Sequence, residues 1–365
     1  MPTFRLVHTF AALTFLLSFA GTMALRAQNA PVTLAQAGDA AGEPEETSVR
    51  ALRVQWRKLF NDSSWAELAT VANQLRGQRL RLKGGAWQLR VFYNTISPAG
   101  PETVTDAAWE AQIAKLEDWA RQEPAAATPH IAMADAYLDF AWKARGHGFS
   151  DTVTQEGWKL FGARVQEARN ALEASAKAGS NDPEWYRAMQ TVALAQGWPR
   201  PQVDALVDAA LNAEPGYFYF ARAETNYLLP KWYGKPGESE EFAEKVADRI
   251  GGDEGDATYF LIAAGINCCR KPQAPGLSWE RVRRGYAALK QLYGTNNFER
   301  NAYAFLALRA GDVETVQQAF ARIGDDWDQS VWRSKARFDA SRTGQAIADV
   351  QPVQPEKAAT GKQEQ

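Results

Sequence analysis

From residue 50 onward, apolar residues recur at helical spacing almost everywhere along the chain. Trp65, Leu68, Ala69, Ala72 and Leu75 share one face and follow the cap candidates Asp62, Ser63 and Ser64. Gly84-Gly85 interrupts the pattern, and Trp87 to Ile96 reads as a short second helix. Trp109, Ile113, Leu116 and Ala120 mark a third. Thr128-Pro129 opens a fourth, carried by Met133, Tyr137, Phe140, Ala141 and Ala144 and ended by Arg145-Gly146-His147-Gly148. The longest run spans about 152–178, where Trp158, Phe161, Val165, Ala168 and Leu172 repeat at steps of three and four.

The stretch Asp182–Gly234 reads as the hub of this pattern. Asp182 caps a helix with Pro183 at its first position, and Trp185, Met189, Val192 and Ala193 form its stripe. Gly197 and Pro199 end it. Val203, Leu206, Val207, Ala210 and Leu211 then define a second amphipathic helix, closed by Glu214-Pro215-Gly216. A third helix leads into the loop Leu228 to Pro236, which breaks helical spacing and keeps polar rings near a turn. Further on, Phe242, Val246 and Ile250 mark one helix, Tyr259, Leu261 and Ile262 a more buried one, and Trp279, Val282, Tyr286 and Leu289 another. The pair Phe298–Ala310 and Val313–Ile323 is joined by Gly311-Asp312. No run shows strand alternation, so the expected fold is all-α. Pro183 to Pro215 is close to the roughly 34-residue period of a tetratricopeptide repeat. Ala210 fits that repeat's small helix-B position, but Val203 and Thr191 stand where it has Ala and Gly. The expectation is degenerate tetratricopeptide-like helix pairs stacked into a curved superhelix with a concave side; a compact two-layer α-domain is the alternative.

Composition adds compartment and exclusions. The 365 residues are 45% hydrophobic, enough for a sizeable core, and the formal net charge of -2 gives no case for a nucleic-acid binder. Arg5, the uncharged run Leu6 to Ala20, and the small residues Gly21, Thr22 and Ala24 form a secretory signal over residues 1–24, with Ala27 and Ala30 as alternative exits. The expected organisation is that signal, a flexible leader over 25–48, a helical domain over 49–340 and a disordered tail over 341–365. The destination is outside the cytoplasm, in the periplasm. An uncleaved segment would instead hold the chain at a membrane as a scaffold. The two cysteines, Cys268 and Cys269, are adjacent and read as structural thiols, as a strained vicinal disulfide, or as a metal or redox pair that lacks a second Cys pair.

Chemistry is sparse. Outside the signal the chain has only His130 and His147, and it lacks an HExxH helix, a GxSxG turn and a Gly-rich phosphate loop. No catalytic residue, metal or cofactor is expected. His147, Ser150 and Asp151 stand too close in sequence for a triad and read as an interhelical turn. Asp135, Asp139 and Glu156 lie among aromatic rings, the arrangement that glycoside cleavage uses, or else form a solvated face. Between Glu67 and Glu102, Arg76, Arg79, Arg81, Lys83 and Arg90 interleave with Trp87, Phe92 and Tyr93, which suits an acidic partner or arginine stems lying over rings. Candidate binding residues are Trp198, Tyr217, Trp232, Tyr233, Trp158, Trp185, Arg79 and Trp87. They suggest a protein or peptide partner held in an aromatic-lined groove. The second reading is an envelope glycan hydrolase with paired carboxylates.

The segments VTQEGWKLFGARVQEAR, DPEWYRAMQTVALAQGW and EPGYFYFARAETNYLLPKWYG, with LKGGAWQLRVFY and YLDFAWKARGHGF upstream, resemble the bacterial family called domain of unknown function 4034. The likeness covers about residues 50–265 and rests on Gly157, Trp158, Trp185, Tyr186, Gly197, Trp198, Pro215, Tyr217, Pro230, Trp232 and Gly234. It implies a tetratricopeptide-like α-helical fold and no established activity.

Overall fold

The computed structural model describes residues 45–97, 104–146, 150–230, 232–266 and 276–344. The chain divides into two compact units, residues 1–36 and 37–365, and every described residue belongs to the second. The signal segment, His147, Cys268 and Cys269 and most of the expected leader and tail lie outside the described residues. Among those described, the fold is all-α, built of helix pairs stacked side by side. In chain order the helices are α1 Glu45–Asn61, α2 Trp65–Gln78, α3 Gln88–Ile96, α4 Asp106–Gln122, α5 Ala127–Arg145 and α6 Gln155–Ala174. There follow α7 Ala176–Gly179, α8 Pro183–Ala195, α9 Arg200–Ala213, α10 Phe218–Tyr227, α11 Glu238–Ile250 and α12 Gly252–Ile266. The last are α13 Trp279–Tyr293, α14 Asn297–Ala310, α15 Val313–Ile323, α16 Gln329–Trp332 and α17 Lys335–Arg342. No helix among the described residues is long and apolar enough to cross a membrane.

Several helices start where a side chain satisfies the first free N–H groups. Asp182 accepts from Glu184 N at α8, Thr154 from Gly157 N at α6, and Asn296 with Glu299 forms a reciprocal box at α14. The long run expected over 152–178 is broken: a 3-10 turn covers Ser150–Thr152, α6 stops at Ala174, and Ser175 separates it from α7. The helical domain also reaches further at both ends than its expected bounds of 49 and 340, since α1 begins at Glu45 and α17 ends at Arg342.

Along the chain, α4, α5, α6 and α8 alternate in direction. Trp109 of α4 stacks on Phe140 of α5 at 5.7 Å, and Arg164 of α6 donates to Phe140 O at 2.9 Å. Trp185 of α8 then donates to Leu172 O of α6 at 2.9 Å. An inner layer of α5, α8, α10, α12 and α14 alternates with outer helices: α6 pairs with α5 and α8, α9 with α8 and α10, and α11 with α10 and α12.

Helix α3 packs on α1 and α2 and reaches α5 and α8 through Arg90, and seven of its nine residues are buried. Gln88 and Thr95 are buried along with its apolar residues, which places the helix inside the core rather than on the surface. Phe92 meets Trp56 of α1 edge-on at 5.6 Å, and Tyr93 donates to Asp182 at the start of α8 at 2.7 Å. The chain enters α3 through a tight hairpin, where Leu82 N donates to Ala86 O at 2.7 Å and Arg81 bridges Trp87. Gly84 and Gly85 both carry positive φ and let this hairpin press against α12, α13 and α14: a Cβ on Gly84 would stand 2.5 Å from Glu299 Oε2, and one on Gly85 3.0 Å from Leu289. The hairpin is therefore docked on helices more than 160 residues away in the chain. A separate core of Phe305, Phe320, Trp332 and Phe338 closes the C-terminal helices.

Candidate functional site

Four elements meet in a buried node of charge. The first turn of α8 carries Asp182 and Glu184, where the positive end of the helix favours acids, and both are sealed from solvent. Arg76 of α2 pairs with Asp182, while Arg90 of α3 and Arg187 of α8 both donate to Glu184. The same two guanidiniums reach Asp135 of α5, Arg90 at 3.3 Å and Arg187 on the other carboxylate oxygen. Tyr217, at the start of α10, donates its hydroxyl to Glu184.

Two carboxylates sharing two arginines do not titrate alike. Burial pushes the Asp135 carboxyl up to about 6, against the pull of Arg187 and Arg90. Burial also penalises ionised Glu184, but Arg187, Arg90 and the Tyr217 hydroxyl outweigh it and hold its carboxyl below the usual value. Tyr217, buried beside Glu184, is pushed well above the ordinary phenol range. Burial and pairing thus push the two carboxyls in opposite directions, Asp135 upward and Glu184 downward.

This node decides several sequence expectations. Tyr217 and Trp87 are buried core residues, not surface rings: Trp87 donates to Gly216 O at 3.0 Å, and the Arg81 guanidinium covers its face at 3.2 Å. Trp185 is half-buried and lies flat against Gly179, where a Cβ would stand 2.3 Å from the ring. Arg79 is exposed at the end of α2, paired with Glu214 at 2.7 Å. Trp198 is half-buried and bonded to Gln196 at 2.9 Å. Of the acids offered for glycan cleavage, Asp135 is engaged and Glu156 stands at the surface. Both oxygens of Asp135 are held by guanidiniums, and Glu156 is exposed beside Lys159 at 3.6 Å. Among the described residues no group of His, Cys, Asp and Glu could hold a metal ion.

Exposed rings gather instead at two places, each where an inner helix ends. Trp142 of α5 and Trp158 of α6 are 37% and 39% exposed and both meet Phe161 edge-on, while Arg145 stands within 5.5 Å of each ring. Beyond α10, Trp232 and Tyr233 are 57% and 54% exposed. Tyr233 is held in place, stacking on Tyr227 at 4.6 Å and donating its backbone N–H to Tyr227 O at 3.2 Å. The loop can turn back this tightly because residue 234 is glycine: a Cβ there would lie 1.8 Å from Leu228 O. Tyr233, Trp232 and Trp158 are the expected binding residues that stand at the surface as rings.

The sequence reading missed Glu184 and Arg187. They lie three residues apart on a helix with apolar residues on most sides, which leaves two charges no exposed face. No family model matches the chain, and no curated protein or solved structure matches it.

Proposed function

We propose that the chain is an exported, non-enzymatic helical protein that binds a protein or peptide partner through its exposed aromatic surface. The observation that carries this reading is the exposure of Trp142, Trp158, Trp232 and Tyr233 in two clusters on a fold that buries Trp56, Trp87, Trp109, Trp119 and Trp332 completely. Large rings that remain in water while others are fully enclosed mark a surface built for contact, and Trp, Tyr and Arg dominate the energetics of such contacts. Arg145 beside two tryptophans adds a cation to one cluster. Export rests on the N-terminal charge, apolar and small-residue pattern. The paired-carboxylate reading is less well supported, because Asp135 is already engaged on both oxygens.

The test is selection from a random peptide display library, with affinities measured by tryptophan fluorescence. Selected peptides should bind the wild-type chain and lose at least about tenfold affinity to Trp142→Ala/Trp158→Ala or Trp232→Ala/Tyr233→Ala, each with an unchanged circular dichroism spectrum. Peptides whose affinity ignores all four rings would overturn the proposal.

A further inference from the structure

Beside the buried node, a pocket of about 500 Å³ opens between α3, α8, α10, α12 and α14. Its wall includes Arg90, Arg187, Arg222, Tyr219 and Asn226. The two node arginines do not exhaust their donors on the protein. Arg90 gives only Nη1 to Asp135 and Glu184. Arg187 gives Nε to Glu184 and Nη2 to Asp135. Nε and Nη2 of Arg90 and Nη1 of Arg187 thus meet no acceptor among the described residues, and none of these atoms is sealed from solvent. Each guanidinium plane is clamped by carboxylates along part of its rim and presents the remainder outward. A fork of N–H groups fixed in this way matches two oxygens of one anion.

Three further features belong to the same wall. Arg222 brings a third guanidinium, with its carbon 5.5 Å from the Tyr219 ring. The Tyr219 hydroxyl accepts from Trp87 N at 3.2 Å and keeps its own proton for donation. The Asn226 side-chain oxygen position is buried with no partner, so this amide offers an unused polar group whichever way it is turned. Facing these cations, Asp135 and Glu184 contact Arg90 and Arg187 directly, and Asp139, one turn along α5, feels the charge of both node arginines without an ion pair to either.

We infer that this pocket is a binding site for an oxyanion, a carboxylate or phosphate group held by Arg90, Arg187 and Arg222. The site is separate from the exposed rings and does not rest on the reading given to them. Preorganised guanidiniums lose little freedom on binding, which favours a specific ligand group over diffuse attraction.

Isothermal titration of the full chain with inorganic phosphate and with succinate, against sodium chloride at matched ionic strength, tests the site. The expected result is saturable one-site binding of at least one of the two. Preference for phosphate identifies a phosphorylated ligand, and preference for succinate a carboxylate one. Arg90 and Arg187 hold the core together, so the variants are Arg222→Gln and Thr191→Glu; the second sets a carboxylate on the pocket wall. Both should weaken binding at least about tenfold, while Arg169→Gln, beside Trp198, leaves it unchanged. Should Arg222→Gln fail to fold, Thr191→Glu on the accessible side of α8 decides the question. Heats no different from chloride, or binding that survives both substitutions, would overturn the inference.

Discussion

Glu224 on α10 is a carboxyl with too few partners for its burial. Gln190 of α8 donates to it at 3.1 Å, and Arg200, Asp204 and Glu238 act on it from α9 and α11. Burial pushes its carboxyl from 4.5 up to about 7, while the Gln190 bond pulls the other way. Gln190 meanwhile keeps a buried side-chain oxygen without a donor, and a protonated Glu224 has one to offer. Between about pH 4.5 and 7 the folded chain holds a proton that the unfolded chain has lost. The contribution of this group to stability is therefore full below the unfolded value, declines as pH rises, and levels off above 7. Glu224→Gln supplies a donor at every pH. Urea unfolding should find the variant more stable than wild type by on the order of 3 kcal/mol at pH 8, narrowing to about 1 kcal/mol at pH 5. Parallel stability curves between those two pH values would show that Glu224 does not titrate there.

At the scale of elements, apolar spacing located most of the helices because each packs one stripe against a neighbour, and the caps at Asp182 and Asp312 needed only local chemistry. Two classes of feature escaped. One is the role of α3: its residues read as an ordinary short helix, and only packing against α1, α2, α5 and α8 buries it. The other is long-range contact. Nothing in Leu80-Arg81-Leu82-Lys83-Gly84-Gly85 announces that Lys83 O will meet Asn296, 213 residues later, at 3.5 Å. The same reason explains why Trp87 and Tyr217 read from sequence as candidate groove residues. Their burial depends on partners remote in sequence, Gly216 for one and Glu184 for the other. The glycines separate local from long-range constraint. Gly197 has positive φ but open space around its Cβ position, so Gly197→Ala should cost about 1 kcal/mol from backbone conformation alone. Gly84 has positive φ and also Glu299 and Asn296 within 3 Å of that position. Gly84→Ala should therefore cost roughly 2–3 kcal/mol, measured by thermal unfolding of the two variants side by side. Equal losses would mean the hairpin is not docked.

For the whole molecule, the hairpin changes how the stack should unfold. In an open solenoid each helix pair touches only its neighbours, so segments can melt in turn. Here the segment from Leu80 to Gln88 ties the start of the helical unit to α10, α12, α13 and α14. Trp87 bonds Gly216 O, Arg81 pairs with Glu254 at 3.5 Å, and Gly84 and Gly85 sit against Glu299, Leu289 and Leu261. Remote ends joined this way lose stability together, because melting either side exposes the apolar surface that the other had covered. Urea unfolding of the wild-type chain, followed both by far-ultraviolet circular dichroism and by tryptophan fluorescence, should therefore give coincident transitions. Arg81→Ala/Trp87→Ala removes both the guanidinium cover and the buried ring, leaving a large cavity beside α10. With the tie cut, the terminal helices built around Phe305, Phe320, Trp332 and Phe338 keep their own core. They should then unfold separately, splitting the two probes into distinct midpoints with a shallower overall slope. A wild-type chain that already melts in two steps, or a variant that still melts in one, would show that the hairpin does not couple the ends.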